Sequence, residues 1–279
     1  VDRRQAVVTD TAERPRRLTR RQRQVVVRAV QYAVFVAVVL VIAFTADWHA
    51  VQQGFFRPDV AASMFPRVLV PALLNTLAFT VGAFCFGLVF GTLLALMRLS
   101  EVRVYRWVAT GYIELFRGLP VLVVLFAVGY GIPNAFPDRE IPGGAYGQMA
   151  LGLGLTAAAY LAETIRAGIL AVPKGQLEAA RSLGMPYGRA MVSIVIPQAF
   201  RIIIPPMTNE IITLTKDTSL AYVLGVTASN VEITKFSSDV LNARVNATPL
   251  VVAALVYLVI TLPLSQLVRR LELRAARAR

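Results

Sequence analysis

The sequence has little of what a reaction centre is made from. It holds one cysteine, Cys85, and one histidine, His49. A lone cysteine closes no internal disulfide, so the redox compartment goes unread, and its plain role is a small packed residue. A lone histidine has no histidine partner for a metal ion, so no metal site is expected. No nucleophile–base constellation stands out, which argues against a membrane enzyme. Only three lysines are present, Lys174, Lys216 and Lys235. None lies in the G-x-x-x-x-G-K-[ST] pattern that cradles a nucleotide phosphate, so energy from ATP would have to come from another chain. Acidic residues are scarce too, 16 against 29 lysines and arginines, for a net charge of +13. A nucleic-acid surface is one reading of that balance. The arginines instead cluster at the ends of apolar segments, which argues for membrane flanks and no nucleic acid.

Long uncharged runs are what the chain does have. Residues 68–97, 118–137, 141–162 and 245–268 carry no Asp, Glu, Lys or Arg. About 20 mostly apolar residues cross the hydrocarbon core as a helix. The expected fold class is therefore all-α, a polytopic membrane protein of about six transmembrane helices, near 28–46, 70–97, 107–131, 148–170, 203–227 and 248–268. The first has a basic start like a signal peptide. Its apolar run from Ala29 to Ala46 is too long for one, and "ADWHAVQQG" offers no small-x-small cleavage site, so it is read as a retained extra helix. Trp48 and His49 after it suit an interfacial anchor. With the N-terminus inside, the inner side collects 21 lysines and arginines and the outer side five. That asymmetry predicts both termini in the cytoplasm. Residues 1–27 and 269–279 read as basic cytoplasmic tails, the first suited to anionic lipid. Gly82, Gly87 and Gly91 give span two a small-residue face for close approach, either within the chain or between chains. No inverted repeat of the kind found in secondary transporters is visible.

One stretch, "EAARSLGMPYGRAMVSIVIPQ" at 178–198, does not belong in lipid. Pro173 suits a helix start, Lys174 to Leu183 reads as a helix, and Gly184 as its stop. Pro186 starts a second helix, expected to run to about Ile196, where Pro197 interrupts it. Ala179, Ala180 and Leu183 form an apolar stripe that Ile194 and Val195 continue, while Glu178, Arg181 and Arg189 stay wet. Such a hairpin could lie on the bilayer, pack on its own bundle or dock a partner, and composition leaves the three open.

Charges also enter the spans. Glu210, Lys216 and Asp217 interrupt span five, and a charge near the bilayer centre costs about 2.5–3.5 kcal/mol on insertion scales. On a helix, Asn209, Thr213 and Lys216 share one face, with Glu210 and Asp217 on a neighbouring one. They could pair with one another. They could equally line a cavity for a zwitterion, whose ammonium needs carboxylates or carbonyls and whose carboxylate needs cations, amides or hydroxyls. Glu114 and Arg117, and Glu163 and Arg166, are each three apart, so local helix pairing is expected.

Glu178-Ala179-Ala180, three residues, Gly184, nine residues, Ile194, one residue and Ile196-Pro197 resembles the EAA loop of ABC importer permeases, which ends in Leu-Pro. With "FRGLP" (116–120), "AETIRAGI" (162–169), "PKGQLEAARSLGM" (173–185), "PQAFR" (197–201) and "NEIITLTKDTSLAYVLGV" (209–226), residues 72–268 look like the polar amino-acid permease subfamily, glutamate/glutamine type. Its common first motif has Thr where Leu119 stands. The resemblance implies a type I permease domain over 70–268, with an EAA loop at 173–201 forming a coupling helix. Glu178, Ala179, Ala180, Gly184 and Pro197 would meet the ATPase. Glu163, Asn209, Glu210, Lys216, Asp217 and Ser219 would line the substrate path, with Arg117 structural or gating. It further implies two ATP-binding subunits that hold the ATP and magnesium, with no cofactor in this chain. A second permease subunit, the same chain or a related one, and an external substrate-binding protein would complete the importer in the bacterial cytoplasmic membrane. That protein would face loops 47–67, 132–147 and 228–248. The substrate could be glutamate, aspartate, glutamine or a basic amino acid, and the overall resemblance to glutamate-type permeases favours the acidic or amide ones. An ion-driven secondary transporter or channel is the alternative, and would show proton- or sodium-driven uptake by this chain alone.

Overall fold

The structure, a computed structural model, describes residues 19–224 and 230–277, with side chains up to 273. Most of the 1–27 tail, part of loop 228–248 and the end of the 269–279 tail lie outside the described residues. Among those described, helix is the only regular structure. The chain divides into two compact units, residues 1–51 and 52–279.

The first unit is dominated by α1 (Arg20–Thr45), which begins eight residues before the expected span. A capping box sets that start: Gln22 N–H donates to Thr19 Oγ1 at 3.3 Å, and Thr19 N–H donates to Gln22 Oε1 at 3.0 Å. The Thr-x-x-Gln spacing satisfies orphan amides that basic composition says nothing about. At 26 residues the helix is about 39 Å long, more than a bilayer core. It contains no buried residue. Trp48, just past α1, donates its indole N–H to the Ala43 carbonyl at 2.7 Å.

The second unit starts within α2 (Trp48–Phe55) and continues through α3 (Pro58–Ser63) and a π-helical turn at Val68–Ala72 into α4 (Leu73–Leu99). Then come α5 (Arg103–Gly118), α6 (Val121–Phe126), a π turn at Ala127–Gly131 and α7 (Ile132–Ala135). α8 (Gly144–Leu170), α9 (Lys174–Ser182), α10 (Tyr187–Ala190), a π turn at Met191–Val195 and α11 (Ile196–Asp217) follow. A 3-10 turn at Thr218–Leu224, α12 (Ile233–Arg244) and α13 (Thr248–Arg277) complete the chain. Among the described residues five helical stretches are long and apolar enough to cross a membrane, and α5 with α6–α7 passes the same test as a bent pair, a candidate sixth, broken span.

Span three was expected to be continuous over 107–131. It bends by 106° instead. Leu119 precedes Pro120 and is pushed into extended backbone, φ −89° and ψ 138°, because a proline ring crowds the helical conformation of the residue before it. Pro197 departs the other way. It was expected to end a helix, yet the chain stays helical from Tyr187 to Leu224. Pro197 sits in the first turn of α11, and the π turn just upstream re-routes the hydrogen bonds its missing N–H would break.

α8 is the centre of the bundle. Several of its small residues, Gly154, Ala157, Ala158 and Ala162 among them, are buried, so neighbouring helices reach its backbone. The small face of α4 packs there, inside one chain. A Cβ on Gly87 would stand 2.8 Å from Ala157 Cβ, and one on Gly91 2.8 Å from the Ala158 carbonyl oxygen. On the far side, a Cβ on Gly168 would fall 2.1 Å from Ile203 of α11. Thr76, Thr80 and Thr92 return their hydroxyls to carbonyls four residues back at 2.7–2.9 Å, so polar atoms in α4 need no water.

The end of the bundle away from α9 is closed by polar bonds. Tyr146 Oη donates to Asn75 Oδ1 at 2.6 Å, Asn75 Nδ2 to the Val231 carbonyl at 2.8 Å, and Ile233 N–H to Thr76 Oγ1 at 3.3 Å. Glu232, fully buried, caps α12 by accepting from the Thr234 and Lys235 amides at 2.6 and 2.5 Å and from Tyr257 Oη at 3.1 Å. Four helices and a loop are thereby fixed together.

Candidate functional site

The hairpin between α8 and α11 takes the form its residues dictate. α9 runs from Lys174 to Ser182, and Gly184 follows with φ +80°. Gly184 N–H donates to the Arg181 carbonyl at 3.0 Å, and Met185 N–H to the Ala180 carbonyl at 3.1 Å. That is a Schellman stop, which needs a left-handed residue and so favours glycine. Arg181 reaches the Met185 carbonyl at 3.2 Å and stiffens the turn. Pro186 then caps α10. Ala180 and Val195 face the bundle and are buried. Glu178, Ala179, Gly184 and Pro197 are exposed. Leu183 is 88% exposed and Tyr187 58%. The apolar stripe thus splits: Ala180 anchors the hairpin, while Leu183 and Tyr187 present apolar surface outward at its tip.

In span five, Asn209 and Lys216 are exposed, and Glu210, Asp217 and Ser219 are partly buried. Glu210 and Asp217 are close enough to act on each other electrostatically, as their shared face predicts. Among the described residues no ion pair within 4.0 Å joins Glu210, Lys216 or Asp217, although Lys216 and Asp217, adjacent in sequence, act on each other electrostatically. Lys216 lies in the last turn of α11, where a cation also answers the free carbonyls of the helix end. The segment beyond is held by Tyr130 Oη on the Val223 carbonyl at 2.9 Å, and by Thr218 Oγ1 on the Thr215 carbonyl at 2.7 Å.

Glu163 belongs to a different constellation. Its carboxylate takes the Arg98 guanidinium of α4 and, on its own helix, Arg166, whose Nε and Nη2 each lie 3.3 Å from a separate oxygen. Arg117, from the last turn of α5, approaches Glu163 Oε2 at 3.7 Å and lies over the Tyr160 ring at 5.6 Å from its centre. The expected Glu163–Arg166 pair is present. The expected Glu114–Arg117 pair is not among the described ion pairs, because Arg117 turns to α8 while Glu114 stays exposed. With Gly168 against Ile203 as register, Glu163 falls level with Thr208 on the antiparallel α11, within about half a helical turn of Asn209 and Glu210. No described hydrogen bond or ion pair joins it to them. Arg98 and Tyr160 had no sequence signal beyond a flanking charge and an apolar span.

The family model described as "Binding-protein-dependent transport system inner membrane component" matches residues 87–277. The L-cystine transport system permease protein TcyB of Bacillus subtilis (strain 168) is 38% identical over 174 residues, 62% of this chain and 68% of that one. The probable glutamine ABC transporter permease protein GlnM of the same organism is 39% identical over 206 residues, 72% of this chain and 89% of that one. Among solved structures, a crystal structure of an amino acid ABC transporter with histidines matches with a TM-score of 0.67 and 34% identity. It covers 77% of this chain and 96% of its own.

Proposed function

Because the chain belongs to the family of binding-protein-dependent transport system inner membrane components, we propose that it carries an acidic or amide amino acid, glutamate, aspartate or glutamine, through a pathway lined by α11. It is a multi-pass permease subunit of an amino-acid ABC importer of the inner membrane, and ATP hydrolysis falls to a partner ATPase. A permease partner completes the membrane core. The ion-driven alternative falls away with that membership.

The observation that carries the substrate reading is the set of groups of both signs on α11 that no internal ion pair neutralises. Glu210 and Asp217 suit the ammonium of a zwitterion, Lys216 and Asn209 its carboxylate, and Ser219 either end. Glu163, level with Thr208 and with its oxygens held by arginines, would shape the path from behind. The relative named for glutamine favours an amide or acidic side chain, and the one named for cystine is the competing polar class.

The coupling role rests on the hairpin. An outward Leu183 and Tyr187 beside Glu178 and Ala179 make an amphipathic knob on a short helix stiffened by its own cap, which moves as one body. Seated in a groove of each of two ATPase subunits, it would convert their closure into rocking of the membrane halves. ATP drives that change only by binding one state better than the other. Both termini and the hairpin would face the cytoplasm, and an external binding protein would deliver substrate to the opposite loops.

The test is reconstitution of the complete importer with its binding protein and labelled glutamate, aspartate, glutamine and cystine. One of the first three should be taken up in an ATP-dependent way. Lys216→Ala should lower that uptake about 10-fold or more, the equivalent of a lost hydrogen bond to a charged group at about 1.5–3 kcal/mol. Unchanged uptake kinetics would sink the Lys216 assignment, and transport of cystine alone would sink the substrate class.

A further inference from the structure

We infer that Arg117 is a positioning residue for transport: it latches the break in span three to the α4–α8 block through Glu163, and import requires that latch to open and close. The inference rests on the importer reading above.

The four charged groups at this point are not equivalent. Arg98 and Glu163 sit on α4 and α8, which approach so closely that Gly87 and Gly91 have no room for a side-chain carbon against Ala157 and Ala158. Packed interiors at that density do not slide by small steps. Arg166 shares a helix with Glu163 and meets it with two nitrogens at 3.3 Å. Those two pairs lie within one rigid body and persist whatever the rest of the bundle does.

Arg117 comes from across a joint. It is the penultimate residue of α5, and Gly118, Leu119 and Pro120 follow, where the chain turns by 106°. Its contact with Glu163 is the longest of the three at 3.7 Å. Its side chain is also the most exposed, 42% against 22% for Arg98 and 29% for Arg166. It grips α8 at a second point, the face of Tyr160. A pair whose loss strands a buried charge cannot open cheaply. Here Glu163 keeps two guanidiniums when Arg117 leaves, and Arg117 is exposed enough to be solvated. Release therefore strands neither partner. That is the property of a reversible contact, placed where, among the described residues, a membrane span is broken.

The experiment uses the whole importer with its binding protein in lipid vesicles and reads ATP hydrolysis with and without substrate-loaded binding protein, alongside uptake. In Arg117→Gln, which keeps a polar side chain but loses the charge and two atoms of reach, we expect basal hydrolysis to rise several-fold, its stimulation by loaded binding protein to fall by a similar factor, and fewer molecules to enter per ATP. Arg117→Lys keeps the charge and is expected to restore most of the stimulation. Lys is also shorter than Arg and lacks the planar guanidinium that lies over Tyr160, so recovery in the Lys variant points to the charge and not to the packed shape of the side chain. Equal stimulation ratios in Arg117→Gln, Arg117→Lys and wild type overturn the latch, as do equal losses in both variants. Failure of the Gln variant to assemble while the Lys variant assembles and stays inactive overturns it too. A wild-type complex with no stimulation at all instead overturns the importer reading, so the two failures are distinguishable.

Discussion

Glu232 lies in a stretch between spans that composition marks only as a connection, yet it is fully enclosed. Burial pushes its carboxyl up to about 7, against the pull of the Thr234 and Lys235 amides and the Tyr257 hydroxyl, all of which donate to it. The value lies above the ordinary 4.5, so the folded chain holds this proton more tightly than the unfolded chain does. The resulting stability is complete below about pH 4.5 and is lost as pH rises through about 7. Thermal unfolding of the purified protein between pH 5 and 8 should show a midpoint that falls with pH. Glu232→Gln, which keeps an acceptor for the capping amides but does not titrate, should flatten that fall; an unaltered slope would assign it to other groups. At this scale the sequence is legible where partners are close along the chain. Glu163 and Arg166 were paired correctly from a spacing of three. Glu114 and Arg117 have the same spacing and do not pair, because Tyr160 and Glu163 of another helix compete for the guanidinium. Residue spacing states an opportunity, and tertiary contacts decide whether it is taken.

Elements show the same division in their glycines and prolines. Span two carries three glycines that read alike. Only Gly87 and Gly91 are held to backbone contact, while a Cβ on Gly82 would meet Ala150 at an ordinary 3.4 Å. Gly91→Ala should destabilise the fold by about 1–3 kcal/mol, the usual penalty for overpacking. Gly82→Ala should change little, and a denaturation series on both variants checks the contrast. Gly184 is different again: its φ of +80° makes it a backbone requirement, with open space around it. Gly184→Ala is expected to cost roughly 1–2 kcal/mol locally. It should loosen the α9 stop, seen as faster amide exchange at Met185, while the rest of the bundle keeps its protection. Among prolines, Pro120 breaks its span and Pro197 does not, although both follow an apolar residue. A π turn precedes Pro197 and absorbs its missing donor, whereas Gly118 and Leu119 give the chain before Pro120 no helical register to keep.

For the whole molecule, the five candidate spans and the broken sixth among the described residues, with the charge bias, predict both chain ends on one side of the membrane. Reporter fusions before Thr19 and after Arg279 should therefore report the same compartment, the cytoplasm, and opposite readings would remove one crossing. The exposed hairpin tip predicts that Leu183→Glu strips the ATPase from the complex during co-purification while the permease itself remains in the membrane at normal levels. Retention of the ATPase would show that the knob is not its seat. The all-helical membrane class, the direction of the charge bias and the Gly184 stop of the hairpin were all determined by sequence alone. Each depends on transfer of a short window from water to lipid, or on backbone preferences within a few residues, and both are local quantities. The angle of the broken span, the choice of α8 as partner for the glycine face and the gathering of three arginines on Glu163 were decided only by tertiary structure. Arg98 lies 65 residues from Glu163 along the chain. Charge attraction and packing depend on distance through space, and no local pattern records which distant helix will arrive there.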